Sequence, residues 1–175
     1  MKFQLYSFGE SGHSYKVALA LHFSKASWKQ ILIDFFRGEA RSEAYKNETN
    51  IMAEVPVLVS GDKKISQSGA ILDYLNGKTG NYFGKNDEER SEILRWVLWD
   101  NSRLSGSLGP TRFLMNFIPS DKKPIEVINY LQKRNDTALA ILESHLSERN
   151  WIAADRLSAA DLSCCSYLFY PEEFG

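Results

Sequence analysis

FQLYSFGESGHSYKVALALHFS, residues 3–24, changes character twice. Phe3 to Phe8 is short, apolar and β-rich. Gly9-Glu10-Ser11-Gly12-His13-Ser14 then breaks it with two glycines and small polar residues, so a strand runs into a loop. Val17, Ala20, Leu21 and Ser24 follow at helical spacing. Ser14 stands ahead of them as an N-cap, which predicts a helix over Tyr15 to Ser24.

Outward from that unit, Trp28 to Phe36 reads as a second strand, and Val55-Pro56-Val57-Leu58-Val59 as a third with a proline at its start. Gly61-Asp62 turns the chain and Lys63-Lys64-Ile65 returns as a hairpin partner. Ser66-Gln67-Ser68 supplies polar caps for a helix from about Gly69 to Asn76. Strand–helix–strand followed by hairpin and helix is the thioredoxin-like α/β arrangement, a mixed sheet with helices on both faces, over residues 1–77. Residues 78–87, rich in Gly, Asn and Lys, have the composition of a linker.

Residues 88–175 read as an all-helical domain. Ile93, Leu94, Val97 and Leu98 form one stripe, and Asn86 with Glu89 makes a capping box. Gly106, Gly109 and Pro110 are expected to kink or split this run before Pro119 ends it. Pro124, behind Ser120 and Asp121, opens a further helix whose Ile125, Ile128, Leu131, Ala138, Ile141, Leu142 and Leu146 recur at helical spacing to about Ser147. Ser158-Ala159-Ala160-Asp161 is a second capping box, ahead of an apolar stretch, Leu162 to Tyr170, that predicts a buried helix.

The chain has 175 residues, with 43% apolar and 13% aromatic side chains, enough for a real core. Its 21 basic and 22 acidic residues give a net charge of −1. That offers no clustered basic surplus for a nucleic-acid backbone, so no nucleic-acid partner is expected. The two cysteines, Cys164 and Cys165, are adjacent and give neither a disulfide framework nor a spaced metal set. A reducing, cytoplasmic setting is expected. No apolar run long enough for a signal peptide or a membrane span occurs, so no membrane association is expected.

Three places carry candidate chemistry. At a strand–loop–helix turn, helix-start N–H groups and the dipole stabilise an anion. Where dithiol enzymes place C-x-x-C, this chain has Ser11-Gly12-His13-Ser14, and no cysteine precedes Cys164. A dithiol cycle is therefore excluded there, while a hydroxyl-lined helix start suits stabilising the thiolate of a bound thiol. The plainer reading makes Ser14 a simple N-cap and Ser11 a solvated loop residue; chemistry alone leaves both open. Val55-Pro56 is either an edge-strand proline or a cis bond that turns the Val55 N–H and C=O outward to pair with an extended peptide. Gln67-Ser68, at a helix start, is either a cap or a carboxylate site.

The three together, with S-A-A-D-L at Ser158 to Leu162, resemble the cytosolic glutathione transferase family across essentially the whole chain. The resemblance is to bacterial serine-type members, through L-Y-S-F-x-x-S-G-H-S-Y-K-V at Leu5 to Val17, V-P-V-L at Val55 to Leu58 and I-x-Q-S-x-A-I-L-x-Y-L at Ile65 to Leu75. It implies that Ser11 supports the thiolate of glutathione, the co-substrate. His13 stands where some bacterial relatives place an Asn that also approaches the sulfur. Tyr6 lies near the tyrosine that activates the thiol in other classes, and ranks below Ser11 because a packed aromatic explains it equally well. Val55 would pair through its backbone with the cysteinyl unit, Pro56 would be the cis proline, and Gln67 and Ser68 would hold the γ-glutamyl carboxylate. Trp99, Arg112, Phe113 and Tyr167 are the candidates for a second-substrate cleft. No metal is implied.

The chain departs from the family pattern before the V-P step. Asn50-Ile51-Met52-Ala53-Glu54-Val55-Pro56 lacks the Pro and Gly of N-P-x-G-x-V-P, and Glu54 puts an acid where a basic or amide side chain often meets the tripeptide, where it would repel a carboxylate of glutathione. The expected activity is conjugation of the glutathione thiolate to small electrophiles. A glutathione-dependent disulfide reductase or peroxidase, and a non-catalytic binding protein on the same scaffold, are the alternatives. A homodimer is implied, the first domain of one subunit against the helices of the other. The resemblance also implies further chain after the buried helix, to close the cleft and cover Leu162 to Tyr170; with the sequence ending at Pro171-Glu172-Glu173-Phe174-Gly175, either that segment is missing or another surface, such as a partner subunit, covers the helix.

Overall fold

The computed structural model describes residues 2–79 and 82–170, so residues 80–81 of the expected linker and the final Pro171-to-Gly175 turn lie outside what is described. The chain divides into two compact units between Tyr82 and Phe83.

The first unit is built on a four-stranded sheet in the order β2-β1-β3-β4, from β1 (Lys2–Ser7), β2 (Ser27–Leu32), β3 (Val57–Ser60) and β4 (Lys63–Ser66). β1 runs parallel to β2 and antiparallel to β3, and β3 and β4 form the hairpin. Alternation along β1 buries Phe3, Leu5 and Ser7 and leaves Gln4 and Tyr6 half-buried on the opposite face. α1 (Gly12–Phe23) and α3 (Ser68–Thr79) pack on each other and contribute Val17, Leu21, Ile71 and Leu75 to the core with Leu5 and Leu58. A second cluster, on Ile33, Ala40 and Tyr45, takes in Tyr6, Phe35 and Val55. This is the thioredoxin-like arrangement read from the order of elements.

Several boundaries differ from the sequence reading. α1 begins at Gly12, three residues earlier than expected, because Ser11 and not Ser14 is the N-cap. β2 stops at Leu32 instead of Phe36. Beyond it Gly38 takes φ +81°, Glu39 accepts the Asp34 N–H at 2.6 Å, and Phe35 stacks on Phe8. A short helix, α2 (Glu43–Glu48), was not foreseen; EAYKNE buries only Tyr45 and shows no apolar period. Pro56 does not sit on an edge strand: the Val55–Pro56 bond is cis, and the strand it leads into, β3, lies inside the sheet. Pro56 precedes the first ladder residue, Val57, so its missing N–H costs the sheet nothing. α3 starts one residue early, at Ser68, and runs on through Lys78 and Thr79.

The second unit comprises α4 (Asp87–Trp99), α5 (Ser105–Asn116), α6 (Ile125–Leu146) and α7 (Ala159–Cys164). α5 packs on α6 and α4 on α7, around Ile93, Trp96, Leu104, Leu108, Ala138, Leu142 and Leu162. The expected break at Gly106 to Pro110 falls earlier, in a π-turn at Asp100–Leu104, and Pro110 is carried inside α5. Gly109 has a packing reason: a Cβ there would stand 2.9 Å from the Tyr167 hydroxyl. The buried helix expected over Leu162 to Tyr170 is only α7. Past Cys164 the chain tightens to i→i+3 bonds, Ser166 N–H to Ser163 O and Leu168 N–H to Cys165 O, and Phe169 is 66% exposed.

Both capping residues are in place, with one change of partner. Asn86 caps α4 by accepting the Glu89 N–H, but Glu89 returns to Lys85 N–H at 2.9 Å instead of Asn86. Ser158 and Asp161 form the reciprocal box at α7. Glu89 also takes a forked pair from Arg156, at 2.6 and 3.3 Å. That hydrogen bond, with the one from the Lys85 N–H, holds the Glu89 carboxyl down at about 2. A depressed acid stabilises the fold above its unfolded value of 4.5 and loses that contribution as pH falls toward 2. The difference in thermal midpoint between wild type and Glu89→Gln is therefore expected to be present at pH 6 and to vanish as pH falls through that window. Melting curves in low salt, across that pH range, check it.

Candidate functional site

The site grows from three loops of the first unit. At the end of β1 the Ser11 N–H donates to Phe8 O at 3.2 Å, closing the turn that delivers Ser11 to the head of α1. Ser11 has extended backbone and is 6% exposed, and its Oγ accepts the Ser14 N–H at 3.1 Å. A hydroxyl that accepts on one lone pair still has its proton to donate. The twelve residues of α1 put a positive dipole end behind it.

His13, half-buried in the first turn of α1, brings Nδ1 within 3.3 Å of Ser68 Oγ. This contact ties the start of α1 to the start of α3. Ser68 is 5% exposed and Gln67 before it takes φ +68°, which turns its side chain toward the proline loop. There Gln67 Nε2 donates to Glu54 Oε2 at 2.7 Å. Glu54 is held by its backbone: its carbonyl oxygen accepts from Tyr45 Oη at 2.9 Å and from Asn50 Nδ2 at 3.1 Å. Burial first, then the neighbouring Tyr6 and Glu39, push the Tyr45 hydroxyl up to about 12, so it remains a neutral donor throughout the working range. Tyr6 meets Tyr45 edge-on at 6.4 Å, as the packed aromatic of the alternative reading.

Thus His13, Glu54, Val55, Pro56, Gln67 and Ser68 are linked around the starts of α1 and α3, with Ser11 two residues from His13. Reading the sequence missed Tyr45 and Asn50, which fix the loop, because their stretch carries no periodic signal. It also missed the aromatic stack at the mouth of the β1–α1 turn, where Phe8 and Phe35 lie parallel at 4.4 Å and Phe36 meets both edge-on.

In the second unit the four cleft candidates separate. Arg112 is buried, its guanidinium 4.0 Å over the Tyr170 ring and 5.3 Å from that of Phe117. Phe113 packs on Phe117, and Tyr167 on Tyr170, so these three share one aromatic neighbourhood. Trp99 instead lines a groove of about 550 Å³ with Arg103, Tyr130, Lys133, Arg134 and Ile141. Among the described residues there is no group of three or more His, Cys, Asp or Glu suited to a metal, and no helix long and apolar enough to cross a membrane.

Residues 1–77 match the family described as glutathione S-transferase, N-terminal domain. Among proteins of assigned name, the disulfide-bond oxidoreductase YfcG of Escherichia coli K12 is 26% identical over 165 residues, covering 90% of this chain and 75% of its own. Glutathione S-transferase F10 of Arabidopsis thaliana is 29% identical over 154 residues, 82% of this chain and 69% of its own. Among solved structures, a possible glutathione S-transferase from Rhodopseudomonas palustris superposes with a TM-score of 0.87 at 28% identity, over 95% of this chain and 81% of that one. A Pseudomonas putida glutathione transferase with glutathione disulfide bound gives a TM-score of 0.85 at 20% identity, over 95% and 74% of the two chains.

Proposed function

We propose that the chain is a member of the glutathione S-transferase family, whose N-terminal domain residues 1–77 match, and that it binds glutathione across the starts of α1 and α3 and conjugates its thiolate to small electrophiles. The observation that carries this reading is the Ser11 hydroxyl, engaged as acceptor by the Ser14 N–H and left to donate its proton at the head of α1. The thiol of glutathione gives its proton to solvent, and the thiolate is held by that hydroxyl and the helix start. The sulfur then forms a bond to an electrophilic carbon as the leaving group departs with its electron pair. Val55 offers its backbone beside the cis bond to the cysteinyl unit, while Gln67 and Ser68 receive the γ-glutamyl carboxylate. His13 acts as a positioning residue through Ser68, and Tyr6 as packing beneath Tyr45. Trp99, Arg112, Phe113 and Tyr167 stay the candidates for holding the electrophile. A homodimer in a reducing, cytoplasmic, detoxifying role completes the proposal, and sizing by light scattering tests the dimer.

The similarity to YfcG favours a second reading, in which the same thiolate attacks a disulfide sulfur and displaces a thiolate from it. Turnover of a chloronitrobenzene against that of a mixed glutathione disulfide and an organic hydroperoxide separates the two. The chloronitrobenzene is expected to be turned over fastest. Faster turnover of the disulfide gives the second reading, and no thermal shift with millimolar glutathione removes both.

A further inference from the structure

Resting on the glutathione reading of this site, we propose that Met52 is a redox-modification site: oxidation of its thioether to the sulfoxide ties up Gln67 and lowers the affinity for glutathione. Met52 Sδ is met by two donors of the neighbouring loop, Gln67 Nε2 at 3.6 Å and Ser66 Oγ at 3.8 Å. The sulfur is presented from a fastened turn, in which the Met52 N–H donates to Asn50 Oδ1 at 3.1 Å and the Ala53 N–H to the Asn50 carbonyl at 2.9 Å. Met52 is 56% exposed, so its sulfur is open to a dissolved oxidant.

The oxidant is a peroxide. A lone pair of Sδ attacks the peroxide oxygen that carries a hydrogen, and the S–O bond forms as the O–O bond breaks. The departing oxygen keeps that bonding pair, takes the proton of the attacked oxygen and leaves as water or an alcohol. Sulfur is oxidised by two electrons and the peroxide is reduced by the same two. The consequence follows from the change in acceptor. A thioether sulfur accepts weakly, whereas the sulfoxide is polar and its oxygen accepts strongly, and it is created where two donors already meet the sulfur. Gln67 Nε2 has two N–H groups, and its two acceptors are Glu54 Oε2 at 2.7 Å and Met52 Sδ. A firm bond to the sulfoxide therefore leaves that amide no proton for a carboxylate of glutathione. Met115, half-buried in the other unit with its sulfur 3.9 Å from Gln132 Nε2, is the internal reference.

The test treats the full chain with dilute hydrogen peroxide, then with dithiothreitol, which reduces oxidised cysteine and leaves sulfoxides intact. Peptide masses locate the oxidised methionines, and glutathione is titrated calorimetrically before and after. Met52 is expected to oxidise ahead of Met115, and the treated wild type to bind glutathione about tenfold more weakly, the usual scale of one charge-assisted hydrogen bond. Methionine sulfoxide reductase is expected to restore the affinity. In Met52→Leu, which has no sulfur there, the same treatment is expected to leave the affinity where it was. A sulfoxide at Met52 with undiminished affinity overturns the proposal, as does an equal loss in Met52→Leu. So does a thioether that survives at Met52 after Met115 has oxidised, or a lowered melting midpoint in the treated protein, since the loss would then be one of folding. If the untreated wild type gives no heat with glutathione, the glutathione reading itself fails and the role of Met52 falls with it.

Discussion

Replacing Ser11 by alanine is expected to raise the apparent pKa of the bound thiol by about one unit or more and to slow conjugation roughly tenfold at pH 6.5. A free thiol near 8.5 is mostly protonated at that pH, and each unit of depression takes about 1.4 kcal/mol of preference for the thiolate. The Ser11 hydroxyl and the α1 dipole are together of that size. Below the pKa the thiolate fraction falls tenfold per unit, so the loss is expected at low pH and fades above about pH 9, where the thiol ionises unaided. That convergence separates the chemical role of Ser11 from its structural one. As the N-cap of α1 it also accepts the Ser14 N–H, and its loss costs roughly 1 kcal/mol of stability, which lowers the melting point at every pH alike. Ser11→Thr, which keeps both hydroxyl functions, is expected to recover most of the rate. A pH–rate profile of Ser11→Ala that superposes on wild type would transfer the role to His13, Tyr6 or the backbone N–H groups of α1.

What could be read from sequence divides along physical lines. The strand–loop–helix at residues 3–24 and the α6 stripe were legible because each repeats a period over many residues, and period survives without knowledge of neighbours. The cap of α1 was misplaced because Ser11 and Ser14 are both competent caps. Gly12 and His13 between them carry no apolar signal to show that the helix has already begun. α2 left no trace for a related reason: a single buried Tyr45 in a polar hexapeptide has no partner within the helix. Its value lies in a hydroxyl that reaches the Glu54 carbonyl nine residues on. Glu54 illustrates the limit most clearly. Its identity was legible as a departure from the family pattern, but the hydrogen bond its carboxylate accepts from the Gln67 amide joins two loops and leaves no periodic signal in the sequence.

Asp100→Ala is expected to be the most damaging single substitution in the helical unit, costing about 3 kcal/mol or more and lowering the melting midpoint by roughly 10 °C. Asp100 is fully buried where α4 gives way to the π-turn. Its Oδ1 accepts from Ser105 Oγ at 2.5 Å and from the Ser105 N–H at 3.3 Å, while its Oδ2 accepts from Ser163 Oγ in α7 at 2.5 Å. Ser166 joins through Ser105 Oγ at 2.8 Å. One carboxyl group thus fastens the turn, the head of α5 and the end of α7, and alanine would remove the buried acceptor of two serine hydroxyls, those of Ser105 and Ser163, while the Ser105 N–H keeps the Asp100 carbonyl. Removing a single hydroxyl by Ser163→Ala deletes one donor and leaves Asp100 its Ser105 partners, so about 1 kcal/mol is expected there. The π-turn closes with the Ser105 N–H donating to the Asp100 carbonyl five residues back, and within it the Asp100 carboxyl meets Ser105 and Ser163 together. Urea unfolding of Asp100→Ala, Ser163→Ala and the double variant checks this. The double variant is expected to fall short of the sum of the singles, because the Ser163–Asp100 hydrogen bond is lost in each single variant and can be lost only once. Strict additivity would show that the two side chains do not share one network.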